Sequence, residues 1–372
     1  MADIRIHHAS NELYGSDRSL LSLVREGVRR GAAIDVCLPG PGPLTAELVD
    51  AGASVQEGRE VVLRRSRPVS TARDVVRGGV MRVRSQRPAP TKLVVSNTSS
   101  ILTPLFSEDA STPWVVIVRE YYSSSLERRI FQKVLARAAG IICVSESVNR
   151  QFDTSFLARM PTAVVHSGAD LREFLALDRL NDTSRDEFRL LCVGRLMPWK
   201  GQDLLLDALH LISGHDGRLR VRIVGAEFGG AGELTANLRL KAETLGSHVS
   251  VDFVGESMTV ADHYAWADAV VVPSKKPEPF GKVVIEGMAA GCTVIASAHG
   301  GPAEVIEDRR TGLLFEPGNA EALARAVTDL MLHPRLRSQL AANGRAASRE
   351  WSGDVAAGSI MDFFERVISA KR

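Results

Sequence analysis

Hydrophobic and polar positions along the chain switch repeatedly between two periods. The opening "DIRIHH" reads as a short strand. "SDRSLLSLVREGVRRG" then sets Leu20, Leu21, Val24 and Val28 on one helical face, with Gly31 suited to the C-terminal cap. "AIDVCLP" reads as a buried strand, so these residues spell a β-α-β unit. The alternation runs on through "TKLVVSN", "PWVVIVRE", the amphipathic "LERRIFQKVLARAA", "GIICVS" and "TAVVHSG". This predicts an α/β domain with a doubly wound parallel sheet.

From 171 to 188, "LREFLALDRLNDTSRDEF" is charged and keeps no period, which predicts the domain linker. A second β-α series begins at "FRLLCVG" and continues through "LRVRIVG", "VSVDFVG", "DAVVVPS", "TVIAS" and "GLLF". Helices are expected near 231 to 245 and from about 282. Leu323, Val327, Leu330 and Met331 mark another, and "VAAGSIMDFFERVIS" closes the chain. The expected division is an N-terminal domain over 1–172, a second over 188–352 and a closing helix over 353–372. Ligands of such sheets bind at the carboxyl ends of the strands, so two Rossmann-like halves predict a central cleft.

Composition agrees with that picture. A chain of 372 residues suits about two domains at roughly 150 residues each. With 45% hydrophobic residues and 31 glycines it has neither a disordered nor a fibrous profile. "MADIRIHHAS" carries no basic segment followed by a long apolar core, and "WVVIV" and "AAGIICV" are too short to span a bilayer, so a cytoplasmic enzyme is expected. Cys37, Cys143, Cys192 and Cys292 each sit singly in an apolar run, without a CxxC or a histidine at ligand spacing, and read as reduced and buried.

Net charge is only +2, but residues 59–92 hold ten Arg or Lys against Glu60 and Asp74. Such a stripe suits peripheral contact with anionic lipid at the inner membrane face, a phosphorylated acceptor, or plain solvation. No interleaved aromatic or recognisable module points to nucleic acid.

The candidate chemistry lies mostly in the second half. "LLCVGRLMPWKGQDLLLDAL" puts Gly194 and Arg195 at a strand end and Lys200 and Gly201 just before a helix. A guanidinium fork and a compact ammonium at that position suit a diphosphate, whereas surface charge is the plainer alternative. In "KKPEPFGKVVIEG" the prolines and Gly281 hold Glu278 in a loop, and the helix beginning near Lys282 takes Glu286 inside it. The two carboxylates therefore do not form a coupled pair. Glu278, beside the main-chain N–H groups from Phe280 through Gly281 and Lys282 to Val283, suits sugar hydroxyls; Glu286 suits a vicinal diol such as a ribose.

Two further loops are open to either reading. Gly300 and Gly301 bring backbone close to a phosphate or simply make a tight turn. In the first domain Gly15 offers a similar approach, with Asp17 a candidate N-cap. No HExxH, DxD or GxSxG occurs and the nine histidines are scattered, so no metal is expected; two cations and a helix N-terminus can supply the positive field.

In this order, "VGRLMPWKG", "FVGE", "VVPSKKPEPFGKVVIEGMAAG" and "GGPAEVIEDRRTGLLFEP" resemble the retaining, GT4-type nucleotide-sugar glycosyltransferases (glycosyl transferases group 1) across 189 to 333. Glu278 and Glu286 match that family's E-x7-E motif. The resemblance implies a GT-B fold, with the final helix crossing back onto the first domain. It implies an NDP-sugar donor, UDP- or GDP-linked, and no other cofactor. Arg195 and Lys200 would hold the diphosphate, Glu286 the ribose and Glu278 the transferred sugar, with Arg195, Lys200 and Glu278 the catalytic group. It also implies retention of anomeric configuration, usually without a metal.

Three positions depart from the family's pattern. The usual Gly-Gly is Gly15-Ser16, a frequent histidine corresponds to Arg119 in "VIVREYY" next to Glu120, and the usual Asn-Gly is Ser167-Gly168. The function expected is transfer of a hexose-like sugar to a lipid-linked, polysaccharide or small-molecule acceptor. A non-hydrolysing sugar-nucleotide epimerase and an idle nucleotide-sugar-binding scaffold are the alternatives.

Overall fold

The structure is a computed structural model that describes residues 3–370 other than 59, 61, 63–89, 108, 110, 178–186, 213–217 and 228–231. Most of the arginine-rich stripe therefore lies outside the described residues. The chain divides into two compact units, Met1–Asp170 with Gly353–Arg372, and Leu171–Ser352.

The first unit holds seven strands: β1 Ile4–His7, β2 Ile34–Leu38, β3 Ser54–Glu57, β4 Leu93–Ser96, β5 Trp114–Val118, β6 Gly140–Cys143 and β7 Thr162–Val164. The seven strands pair in parallel, in the order β3-β2-β1-β4-β5-β6-β7 across the sheet. The inner strands are buried throughout because helices cover both faces; β5 and β6 are wholly apolar, whereas β1 and β2 place Arg5 and Asp35 in a buried ion pair at 2.9 Å. β3 went unread in the sequence. At the sheet edge its "SVQE" is mostly exposed and lacks an apolar run.

The second unit repeats the plan with β8 Glu187–Val193, β9 Arg218–Val224, β10 Val249–Gly255, β11 Ala269–Val272, β12 Thr293–Ser297 and β13 Leu313–Phe315, in the order β10-β9-β8-β11-β12-β13. Both sheets thus run outward from a first strand, back past it, and on in the opposite direction. That reversal opens a crevice at the strand carboxyl ends, between β1 and β4 in one unit and between β8 and β11 in the other. Both Rossmann-like units are built to place a ligand there.

The helix Gly353–Ala370 belongs to the first unit. It buries Ile360, Met361, Phe363, Phe364 and Val367, and the Gly353 N–H donates to the Ala169 carbonyl at 2.7 Å. Arg30, just after the helix Gly15–Arg29, fastens it through Asp362 at 2.6 Å and Glu365 at 3.1 Å. Gly27 lets the helix Gly15–Arg29 rest on β2, since a Cβ there would meet the Ile34 side chain at 2.4 Å.

The stretch expected to be a linker begins with structure. The short helix Arg172–Leu175 buries Phe174 edge-on against Tyr264, with ring centroids 5.1 Å apart, and Arg345 donates to the Leu175 carbonyl at 2.6 Å. Its apolar anchor, Phe174, was hidden among charged residues. All four cysteines are buried thiols, not joined in disulfides. Among the described residues no helix is long and apolar enough to cross a membrane.

Candidate functional site

In the second unit the switch point is built by three loops. After β8 the chain passes Gly194 and Arg195, makes a 3-10 turn over Pro198–Lys200, and enters the helix Gln202–Leu211 through Gly201. Gly201 has φ 76°, and a Cβ there would lie 1.9 Å from the Pro273 carbonyl oxygen. Only glycine lets this turn rest on the loop after β11. The Lys275 N–H closes the contact by donating to the Trp199 carbonyl at 2.7 Å.

That approach brings Lys200 to Glu278. Lys200 Nζ donates to Glu278 Oε1 at 2.9 Å, Ser274 Oγ donates a short bond to the same oxygen, and the Glu278 side chain is 7% exposed against 17% for Lys200. Removing either partner would leave the other charge poorly solvated. The same ammonium lies 4.6 Å from the centre of the Trp199 ring. Sequence reasoning had set Lys200 on the diphosphate and Glu278 on the sugar. The fold joins them, so one cluster holds both the cation and the carboxylate. Beneath them, burial pushes the Cys192 thiol up to about 12, against the nearby Lys200 charge.

Gly300 and Gly301, after β12, support the Glu278 loop from the other side. Gly300 has φ 65° and a Cβ on it would meet the Glu278 carbonyl oxygen at 2.5 Å; a Cβ on Gly301 would meet Phe280 Cα at 2.3 Å. The Gly301 N–H donates to the Glu278 carbonyl at 2.8 Å. The pair therefore acts as a close-packed seat for the carboxylate loop. Next to it His299 Nε2 donates to the Ser274 carbonyl at 2.9 Å, and burial pushes the imidazolium pKa below its ordinary value despite that bond.

Gly281, at φ 81°, starts the helix Lys282–Ala289. Phe280 is buried, its ring centroid 6.3 Å from that of Trp351, whereas Lys282 and Val283 are half-buried in the first turn. Glu286 lies one turn in, half-buried, and its Oε2 accepts from the Tyr264 hydroxyl at 2.9 Å. Burial, then the Glu286 charge and bond, holds the Tyr264 pKa far above the ordinary phenol range, so the phenol remains a donor. Arg195 is exposed at the mouth, with its carbonyl accepting from Gln202 Nε2 at 3.2 Å. Ser274, Tyr264 and His299 were missed in the sequence. Ser274 alone left a signal, as the polar residue that ends "VVVPS" four positions before Glu278.

Gly15 is in the other unit, exposed, as the first residue of Gly15–Arg29. Asp17 is not the N-cap of that helix. It is fully buried in the first turn, where Oδ2 accepts from the Tyr14 N–H at 2.9 Å and Oδ1 lies 2.6 Å from His8 Nε2. Burial alone would raise its pKa, but the His8 bond and charge, Ser10 and the Tyr14 N–H together hold it below the ordinary value. The chain of bonds continues to Asn97 and Arg119. Nearby, the fold joins residues far apart in sequence: ligand atoms of His7, Cys37 and Glu60 lie within 4.8 Å of one another, with His7 Nδ1 2.8 Å from Glu60 Oε1. Spacing along the chain gave no hint of this cluster.

Two parallel sheets in this order, each with polar groups at its switch point, define a protein of the GT-B class. The chain is similar in fold to Anabaena HepE, solved with UDP and glucose, at a TM-score of 0.75 and 21% identity, covering 98% of this chain and 100% of that one. Sucrose-phosphate synthase from Thermosynechococcus elongatus gives 0.76 at 20% identity, covering 98% and 99%. Residues 178–347 match the family described as glycosyl transferases group 1. Among curated relatives, a D-inositol 3-phosphate glycosyltransferase of Mycobacteroides abscessus is 34% identical over 218 residues, 56% of this chain and 47% of the relative. A GDP-mannose-dependent alpha-(1-6)-phosphatidylinositol monomannoside mannosyltransferase of Mycobacterium tuberculosis is 29% identical over 235 residues, 59% and 60%. The chain spans about half the length of the first of these relatives.

Proposed function

We propose that the protein is a retaining glycosyltransferase that moves a hexose-like sugar from a UDP- or GDP-sugar to a hydroxyl acceptor. The observation that carries this reading is the Lys200–Glu278 pair beside the start of the helix Lys282–Ala289, at the switch point of the second sheet. A parallel sheet binds its ligand there, and main-chain N–H groups at a helix start attract phosphate.

The residues divide the work by chemistry. Lys200 has three N–H donors, of which Glu278 takes one, so the ammonium can hold Glu278 and a diphosphate oxygen together. Arg195 adds a guanidinium fork at the mouth of the site. Glu278 accepts from hydroxyls of the transferred sugar, and Glu286, oriented by Tyr264, accepts from a ribose diol. In the transfer, the bond from the anomeric carbon to the diphosphate oxygen breaks and a bond to the acceptor oxygen forms on the same face. The acceptor proton passes to the departing diphosphate, whose charge Lys200 and Arg195 balance. No side chain then has to serve as general base, and the field of two cations suffices without a metal ion.

The test is a thermal-shift series with UDP-, GDP- and dTDP-sugars on the wild type, Arg195→Ala and Glu278→Ala, followed by turnover of whichever donor binds. At 100 times its Kd a donor adds about 2.7 kcal/mol to stability. The expected result is a shift for one donor, weakened in Arg195→Ala, with transfer abolished in folded Glu278→Ala. Full transfer by both variants would sink the site assignment. Conversion of donor without acceptor would instead favour an epimerase, and binding without turnover a scaffold.

A further inference from the structure

The first unit has its own switch point, and a single chain of hydrogen bonds crosses it. His8 follows β1, Asn97 follows β4 and Arg119 follows β5, so all three stand at strand carboxyl ends. Arg119 Nη2 donates to Asn97 Oδ1 at 2.8 Å and Nε to the Asn97 carbonyl at 2.9 Å. With its oxygen engaged, Asn97 turns its amide nitrogen to His8 Nδ1 at 3.0 Å, leaving His8 Nε2 to donate to Asp17 at 2.6 Å. The polarity runs one way, from guanidinium to buried carboxylate. Its effect is to fix the Arg119 side chain in one orientation, which Ser167 Oγ reinforces by accepting from Nη1 at 3.0 Å.

Arg119 is half-buried and lacks a carboxylate partner among the described residues. The adjacent Glu120 carboxylate is turned elsewhere. It accepts from Thr98 Oγ1 at 2.7 Å, Ser99 Oγ at 2.6 Å and the Arg119 main-chain N–H at 2.8 Å. Burial lowers the Arg119 pKa to about 10, against the Glu120 and Asp17 charges, so the guanidinium is still cationic at neutral pH. Three of its five N–H groups are taken by Asn97 and Ser167, and one is left on each terminal nitrogen. Two donors on one planar group match the two oxygens of a carboxylate or phosphate.

We propose that Arg119 forms an oxyanion subsite in the first unit, and that the substrate taken up there carries a carboxylate or a phosphate. The inference rests on the glycosyl-transfer reading and narrows it to an anionic substrate. Asn97 and Ser167 are positioning residues, because they hold the fork and leave its outer donors to the ligand. A substrate with only hydroxyls gives this guanidinium no charge to answer its own.

The test measures binding to the full chain by calorimetry, with glucose, glucose 6-phosphate, glucuronate and inorganic phosphate as probes, and UDP as the probe of the second unit. Wild type, Arg119→Gln and Arg119→Lys are compared. The expected result is binding of glucose 6-phosphate or glucuronate at least about tenfold tighter than glucose, lost by a similar factor in Arg119→Gln and partly restored in Arg119→Lys, with UDP affinity unchanged. Phosphate sugar over uronate, or the reverse, identifies the source of the charge, and competition by inorganic phosphate isolates the phosphate group itself. Equal affinity of the wild type for glucose and its charged forms overturns the proposal even if the variants fail to fold. So does anion binding that Arg119→Gln leaves intact. If UDP does not bind while the Arg119-dependent response persists, the transfer reading falls and the subsite stands.

Discussion

Replacing Gly301 by alanine tests how closely the Glu278 loop must be seated. Gly301 lies in the ordinary helical region, at φ −57° and ψ −39°, so alanine adds no backbone strain. The added methyl, however, would fall 2.3 Å from both Phe280 Cα and the Phe280 carbonyl oxygen, about 1.1 Å short of the 3.4 Å at which ordinary contact begins. Both obstacles are main chain, which cannot rotate away, and packed interiors transmit such displacement. The loop carrying Glu278 must move by about an ångström. Overpacking of this kind costs about 1–3 kcal/mol, and a 1 Å misplacement of a reacting group costs on the order of 100-fold in rate. Gly318→Ala is the control: at φ 77° with nothing within 4 Å, it adds about 1–2 kcal/mol of strain and displaces nothing. The assay pairs melting temperature with the rate of nucleotide release from the donor that binds. Both variants should melt lower, but only Gly301→Ala should lose roughly 100-fold in rate. Wild-type turnover by Gly301→Ala, or equal impairment of the control, would refute the seating argument.

Three other outcomes follow from single contacts. Tyr264→Phe removes the hydroxyl that donates to Glu286 at 2.9 Å; because water reaches the half-buried Glu286, the loss should be about 1 kcal/mol, with weaker binding of the nucleoside part of the donor, and unchanged nucleotide affinity would break the link to ribose. The Glu26 carboxyl is lowered to about 2 from 4.5, first by its bond to Arg29 and then by Arg30, against burial. Its stabilising share is complete above 4.5 and is lost as pH falls from there through 2, so urea titrations of Glu26→Gln should show a shallower fall over that window than the wild type. Parallel curves would count against the pairing. Finally, burial raises the Cys143 and Cys192 thiols to about 12, and all four cysteines are buried, so an aromatic disulfide reagent at pH 8 should label the folded chain only after urea is added.

Much of the fold was readable because several of its inner strands are continuous apolar runs and its longer helices are amphipathic. Trp114–Val118 and Ala269–Val272 announce themselves, and Pro, Gly and a fresh apolar run correctly separate Glu278 in a loop from Glu286 in a helix. What escaped was whatever depends on tertiary placement. β3 is a strand because a neighbour offers an edge, and its side chains carry no trace of that. Tyr264 precedes Glu286 by a distance that no helix or strand period connects, and only tertiary placement brings its hydroxyl to the carboxylate. Asp17 satisfies a helix-start pattern well enough to be taken for a cap, although its main partner, His8, stands at the end of a strand.

The two switch points show what residue types alone leave unsaid about local charge balance. Lys200 was expected on the diphosphate and Glu278 on the transferred sugar, and Gly201, where a Cβ would strike the Pro273 carbonyl, lets their loops close together and pair them. The pairing is compatible with both roles, because a lysine keeps two further donors after satisfying one carboxylate. Arg119 follows the same logic with the opposite result. Its nearest carboxylate neighbour in sequence, Glu120, is drawn off by two hydroxyls and a main-chain N–H, so the guanidinium is oriented by neutral groups and keeps its charge for a ligand. One cation arrives balanced within the protein and the other does not, and that difference in local charge balance, rather than the choice of lysine or arginine, sets what each site asks of its substrate.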